Sequence, residues 1–343
     1  MKISVENETK LIEEILKAYN VKDNEAKIVA DVITDGDLKG FSTHGIGRFP
    51  QYIESIKKGT ILTEGDYEIE KETAATALIN GNHKFGHYVT VKAMDLAVKK
   101  ASETGVGIVG IHDSNHYGIA GYYSDMASLQ DMVGIVISNT EPAMAPFGGK
   151  KAMLGTNPIT ISIPSDDIHT YICVDMATSI TARGTLLQAK RKNEQIPEGL
   201  ALDKDGKPTT DPTEGLEGSI LPFGGFKGYA LAFMFELLAG PLVGAEVGES
   251  VKGTATPDDM CTKGDLLIVI DPEHFAGSMQ FKFFTDQFIR EIREENGVIP
   301  GDREVENIRN NKENGINIDS SLYEQLNNIA QEKGLDIQSY FEE

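Results

Sequence analysis

The sequence predicts a layered α/β protein whose two chain ends are both helical. Three observations carry that reading. Apolar residues recur at helical spacing through the first 60 residues and again near the C-terminus. Between about residues 74 and 295, short apolar runs of strand length alternate with helical patterns. The 343 residues, 40% hydrophobic and 25% charged, suffice for two or three structural units around a sizeable core.

The elements follow in order. Leu11, Ile12, Ile15, Leu16 and Tyr19 share one face of a first helix. Residues 26–38 repeat the pattern, and 49–56 form a third, short helix with Gly59 placed to cap it. Residues 74–79 read as a strand stopped by Asn80-Gly81-Asn82. Then come a helix at 88–102, a strand at 106–111, a helix at 119–129 and a strand at 133–138. Strands at 159–163 and 171–174 flank the polar turn Pro164-Ser165-Asp166-Asp167. A helix at 183–191 precedes 202–216, which is rich in Asp, Gly, Pro and Thr and reads as a long loop. The apolar stretch around 229–238 is too short to span a bilayer, contains Glu236, and reads as a buried core helix. A strand at 266–270 and helices at 281–295 and 319–333 complete the chain. Residues 88–129 and 133–271 form possible separate lobes.

Charge narrows the function. With 53 acidic and 32 basic side chains the formal net charge is −21, which argues against nucleic acid and anionic membranes as partners. Cys173 and Cys261 stand alone and form neither a zinc motif nor a disulfide framework. The opening residues show no basic and apolar leader pattern, so a cytoplasmic protein is expected.

Gly105, Gly107 and Gly110 match G-x-G-x-x-G, but a helix precedes them and they lie within a strand-like run. A dinucleotide fingerprint needs the opposite order, so they are read as a helix cap and a strand with close backbone approach. His83/His87 and His112/His116 have i,i+4 spacing, yet turn residues interrupt both pairs and neither carries the H-E-x-x-H glutamate. His44 and Arg48 lie four residues apart after a helix end at Gly40, and a guanidinium fork matches a carboxylate. Asn115-His116-Tyr117-Gly118 sits at a strand-to-helix junction, where an imidazole can move a proton. Gly148-Gly149, Gly155-Thr156-Asn157-Pro158 and Gly224-Gly225-Phe226-Lys227-Gly228 are glycine-rich turns able to approach an anion.

Taken in order, Ser42-Thr43-His44-Gly45 through Arg48, Asn115 through Gly118, Gly155 through Pro158, Asp175-Met176-Ala177-Thr178 and Phe223 through Gly228 resemble the malate/L-lactate dehydrogenase family of the non-Rossmann type. The resemblance covers roughly residues 5–340, and Thr140 through Gly149 look like its archaeal L-sulfolactate (L-2-hydroxycarboxylate, malate) dehydrogenase branch. It implies a three-layer α/β/α fold with a mixed sheet, and a helical part from both termini. The division it implies is 1–72 with 305–343 as a helical dimerisation part, 73–131 as a small lobe with the catalytic histidine, and 132–304 as a cofactor domain.

It further implies NAD or NADP as cofactor, a small 2-oxo or 2-hydroxy acid as substrate, and a homodimer or higher homo-oligomer. Coenzyme M synthesis is implied only through the branch. His116 matches the proton donor and acceptor, and His44, Arg48 and Asn115 the substrate-binding positions. Asn139, Thr140, Asp175, Met176, Ala177 and Lys227 fall on cofactor-contacting segments, with Arg183 and Arg303 as further candidates. No metal is expected. Competing readings are a reductase of another 2-oxoacid or of a cyclic imine carboxylate, and a metal-dependent hydrolase built on the histidine pairs.

Overall fold

The computed structural model describes residues 1–167 and 170–342, so His169 lies outside the described residues. Helices α1 (Val5–Ala18), α2 (Asp23–Leu38) and α3 (Phe49–Lys58) form the N-terminal part, followed by α4 (Gly86–Thr104), α5 (Gly121–Ser128), α6 (Arg183–Lys192) and α7 (Pro212–Glu217). Then come α8 (Phe226–Ala239), α9 (Ser278–Glu294), α10 (Asp302–Asn314) and α11 (Ser320–Gln331). The strands are β1 (Lys2–Ile3), β2 (Glu68–Glu72), β3 (Thr76–Asn80), β4 (Val106–His112), β5 (Val133–Ser138), β6 (Ile159–Ile163) and β7 (Ile172–Met176). After them come β8 (Ala201–Leu202), β9 (Pro208–Thr209), β10 (Ser219–Ile220), β11 (Asp265–Ile270), β12 (Ile316–Asn317) and β13 (Phe341–Glu342).

The central sheet has seven strands in the order β2-β3-β4-β11-β5-β6-β7. Only β3 and β4 run parallel, so the sheet is mixed, as expected. Strand alternation assigns the two faces. Val136 joins the large core with α4 and α5, whereas its neighbours Ile135 and Ile137 pack with Phe235 and Ala239 of α8. Helices therefore cover both faces, in three layers. The chain ends meet where β1 pairs with both β12 and β13. Helix α10 packs on α2 and α11 on α3, so the helical part does draw on both termini. Strands from either side of residues 72 and 131 share the one sheet.

Local chemistry explains the well-read elements. Ser4 caps α1 through Asn7 N–H, and Gly59 (φ 74) and Gly105 (φ 86) close α3 and α4 in the left-handed region. Gly107 faces Ala97 so closely that a Cβ would fall 1.9 Å from its carbonyl oxygen. The glycines of the false fingerprint thus serve a helix cap and helix-to-strand contact.

Several expectations need correction. The 202–216 segment is not a loop throughout: β8, β9 and β10 form a small sheet, and Asp211 caps α7 by accepting from Thr213 and Glu214 N–H. Helix α8 is not a buried core helix. Phe233, Met234, Leu237 and Leu238 are exposed, because α8 is apolar all round and the sheet covers one side only. Strand β2 and helix α10 carry no buried residues and hence no apolar period to read.

Candidate active site

The turn that carries His44 and Arg48 begins where α2 ends. Residues 46–48 form a single 3-10 turn into α3, which places Arg48 and Tyr52 four residues apart at the start of that helix. The loop after β4 brings His116 over this pair. The Tyr52 hydroxyl lies 2.7 Å from His116 Nδ1, and Gly118 N–H points at the same nitrogen from 3.2 Å. No partner among the described residues engages Nε2. The rings of His44 and His116 stack with centroids 5.4 Å apart. His87 stands 4.9 Å from the Tyr52 ring and 6.5 Å from His116.

Arg48 donates through Nη2 to the Thr254 carbonyl, while its Nε is buried with no hydrogen-bond partner among the described residues. Glu141 holds the same loop, accepting Thr254 N–H at 2.8 Å and Ala255 N–H at 3.0 Å. Both ring nitrogens of His87 are also buried and unpartnered among the described residues. Unpaired buried donors are costly, and they cluster where a small anionic ligand would meet them.

Burial, and then the Arg48 charge, pushes His44 down to about 4 and His116 well below the usual histidine range. The same causes take His87 to about 3. All three imidazoles are neutral at pH 7 in the free protein. Lys263 adds to the field on His116 and His87. It is buried, paired with Asp265 at 2.6 Å and 4.4 Å from the Tyr117 ring centre.

The structure distributes the expected residues unevenly. His44, Arg48 and His116 come together. The Asn115 amide nitrogen is turned into the protein, donating to the carbonyls of Thr60, His83 and Lys84, so it anchors the His116 loop. Asn139 is fully buried and bonded to Glu246 O and Gly264 N–H. Thr140 receives Thr156 N–H on its hydroxyl at 3.0 Å. Asp175 accepts Gly121 N–H at 2.7 Å and is raised to about 6 by burial. Met176 is exposed beside it and Ala177 half-buried.

The glycine turns lace together through Thr178, whose N–H bonds Thr156 O and whose carbonyl accepts Phe223 N–H. Gly228 has no room for a Cβ against Phe223 O. This presents exposed Lys227 at the start of α8, which has no side-chain cap, so its free N–H groups and one lysine fit a cofactor phosphate. Arg183 is exposed at the start of α6, whose Gly184 faces Thr43. Arg303 is exposed on α10, and the start of that helix abuts β7 through Cys173 N–H to Pro300 O. Lys190, Arg191 and Lys192 lie exposed along α6, away from any ion pair among the described residues.

Tyr52 and Lys263 are not site candidates in the sequence, and His87 is one there only as half of the i,i+4 pair His83/His87. Of the first two, only Tyr52 left a signal there, its i+4 spacing from Arg48. The histidine pairs do not act as pairs: His112 bonds Glu70 and Asp113, and His116 bonds Tyr52. No metal-sized group of three His, Cys, Asp or Glu side chains occurs among the described residues.

Comparison with known proteins shows the family of the chain. The family model described as malate/L-lactate dehydrogenase matches residues 3–327. The malate/(S)-sulfolactate dehydrogenase of Methanothermus fervidus is 61% identical over 339 residues, covering 98% of this chain and 99% of that protein. The L-sulfolactate dehydrogenase of Methanocaldococcus jannaschii is 53% identical over 348 residues, covering both chains fully. The solved structure of the sulfolactate dehydrogenase from that organism superposes with a TM-score of 0.94 at 52% identity, over 100% of each chain. The chain is therefore a member of the malate/L-lactate dehydrogenase family.

Proposed function

We propose that this enzyme interconverts L-2-hydroxycarboxylates and 2-oxoacids by nicotinamide-dependent hydride transfer, with malate/oxaloacetate and L-sulfolactate/sulfopyruvate as its substrate pairs. The observation that carries the reading is the meeting of Arg48, His44 and His116, with a buried Nε on Arg48 that is unpartnered among the described residues. The hydroxyacids of the two pairs, malate and sulfolactate, are those in the names of the similar proteins.

A bound NAD or NADP supplies or accepts the hydride. Lys227, Thr140, Asp175, Met176 and Ala177 would hold it, with Arg183 and Arg303 at the margins. Arg48 takes the substrate carboxylate through its fork, and His44 packs beside it. Neutral His116 takes the hydroxyl proton during oxidation. During reduction His116 gives the proton; burial and then the Arg48 charge hold the ring neutral in the free protein, and the oxoacid carboxylate offsets the second of these, which favours the charged ring in the complex. In oxidation Nε2 takes the proton while the ring is the tautomer that carries its hydrogen on Nδ1 and donates it to the Tyr52 oxygen, in place of the Gly118 N–H contact.

The exposed apolar residues of α8, and Phe283, Phe284 and Phe288 of α9, are best covered by a second copy of the chain, which supports a homodimer or larger assembly. Two buried free cysteines suit a reducing, cytoplasmic setting. Absorbance at 340 nm tests the proposal, with NADH and NADPH each offered sulfopyruvate, oxaloacetate, 2-oxoglutarate and pyruvate. Oxidation with the dicarboxylic or sulfonated oxoacid is expected. No oxidation with any combination would overturn the substrate assignment.

A further inference from the structure

We infer that Asp37, with Glu8 as its proton partner, positions the turn that carries His44 and Arg48. The inference rests on the reading that those two residues bind the oxoacid.

Asp37 lies in the last turn of α2 and is 6% exposed. Its Oδ2 accepts Ile46 N–H at 2.5 Å. The carboxyl also fills the space beside Gly45, where a Cβ would fall 2.0 Å from Oδ2 and 2.1 Å from Cγ. Position 45 therefore admits only glycine, and His44-Gly45-Ile46 closes around Asp37. Arg48 N–H bonds Gly45 O at 3.0 Å, so the guanidinium's base is set by the same contact. From behind, Asn311 of α10 donates to the carbonyls of Asp37 and Leu38.

Glu8, on the buried face of α1, is fully buried, and neither carboxyl oxygen has a hydrogen-bond donor among the described residues. It faces Asp37. The influences on Glu8 are burial and Asp37; those on Asp37 are burial, Glu8 and Ile46 N–H. No cation among the described residues offsets either group. Two facing buried carboxylates do not both ionise, so the pair keeps one proton. Glu8, raised well above the usual carboxylate range, carries it, and the neutral acid donates to Asp37. The remaining negative charge then sits at the N-terminus of the helical run through 46–58, where the helix dipole favours it. The pair thereby joins both N-terminal helices to the substrate turn.

The test is a split of KM and kcat for oxaloacetate in the intact enzyme. Asp37→Ala removes the Ile46 acceptor and is expected to raise KM about ten-fold or more, with kcat at saturation within about three-fold. Glu8→Gln keeps a neutral donor and should hold KM within about two-fold of the parent. Glu8→Leu leaves Asp37 without its donor and should raise KM as Asp37→Ala does. Melting curves and cofactor titration confirm that each variant is folded. An unchanged KM in folded Asp37→Ala overturns the inference. So does a Glu8→Gln variant as impaired as Glu8→Leu; this pair decides alone if Asp37→Ala does not fold. Arg48→Lys, run in parallel, separates the two readings. A raised KM there with normal Asp37→Ala removes only this inference, whereas an unchanged KM in Arg48→Lys removes the substrate role of the turn.

Discussion

Replacing Tyr52 with phenylalanine removes the hydroxyl that meets His116, the proposed proton carrier. The ring is 2% exposed and packs against Phe85 and His87, contacts that phenylalanine retains. The hydroxyl 2.7 Å from His116 Nδ1 is lost, and with it the contact of the same oxygen with Arg48. A bond to neutral imidazole is worth about 0.5–1.5 kcal/mol, and one to the charged ring about 1.5–3 kcal/mol. Catalysis loses the difference, because His116 is neutral in the free enzyme and gains charge as the proton moves. That difference, about 1–1.5 kcal/mol, lowers kcat/KM roughly ten-fold. At a fixed pH the reaction equilibrium ties the two directions together, so oxidation and reduction fall alike. Reduction needs the protonated ring, so the fall of the oxoacid kcat/KM with rising pH should also begin at lower pH. Initial rates at 340 nm across the pH range measure both. An unchanged kcat/KM with an unchanged profile would refute the orienting role, and a fall as deep as that of His116→Ala would make Tyr52 itself the proton carrier.

Three further outcomes are expected. His116→Ala should cut kcat about a hundred-fold or more while cofactor affinity, read by fluorescence titration, stays within a few-fold; full activity would sink the assignment. Gly107→Ala drives a Cβ into the Ala97 carbonyl, so the melting temperature should drop by about 5 °C or more, and an unchanged Tm would show that α4 shifts at little cost. His87, held at about 3 in the folded state, charges more readily once unfolded. Its contribution to stability is therefore complete above about pH 6.5 and is lost as pH falls toward 3. Denaturant titrations at pH 7.5 and 5 should show acid weakening that His87→Leu reduces, and equal pH dependence in the two proteins would contradict this.

Much of the site was legible because its residues sit on short motifs in a fixed order. His44, Arg48 and His116 could be placed from those motifs, and the structure does bring them together. Asn115 and Asn139 stand on the same motifs, yet tertiary contacts direct their amides into the protein. The motif supplies the residue but not the direction of its side chain. Local signals also account for the caps at Gly59 and Gly105, since a left-handed glycine depends on its own few neighbours. The periodic faces of α1 and α2 are likewise properties of short stretches of chain.

The insertion of β11 lies beyond such signals. Strands β4 and β5 are close in sequence, but β11 pairs antiparallel with both and separates them. That pairing brings Lys263 to the site, while the loop just before it meets Arg48 through Thr254. Glu8 reads as one more acidic residue of an amphipathic helix until α2 lays Asp37 against it. The sequence alone determined the helices and strands with an apolar period, the acidic net charge and the candidate site motifs, each of which depends on composition or neighbouring residues. The tertiary structure alone decided which strand lies between which, which buried charges face one another and which apolar faces stay uncovered, because these depend on contacts between segments far apart in the chain.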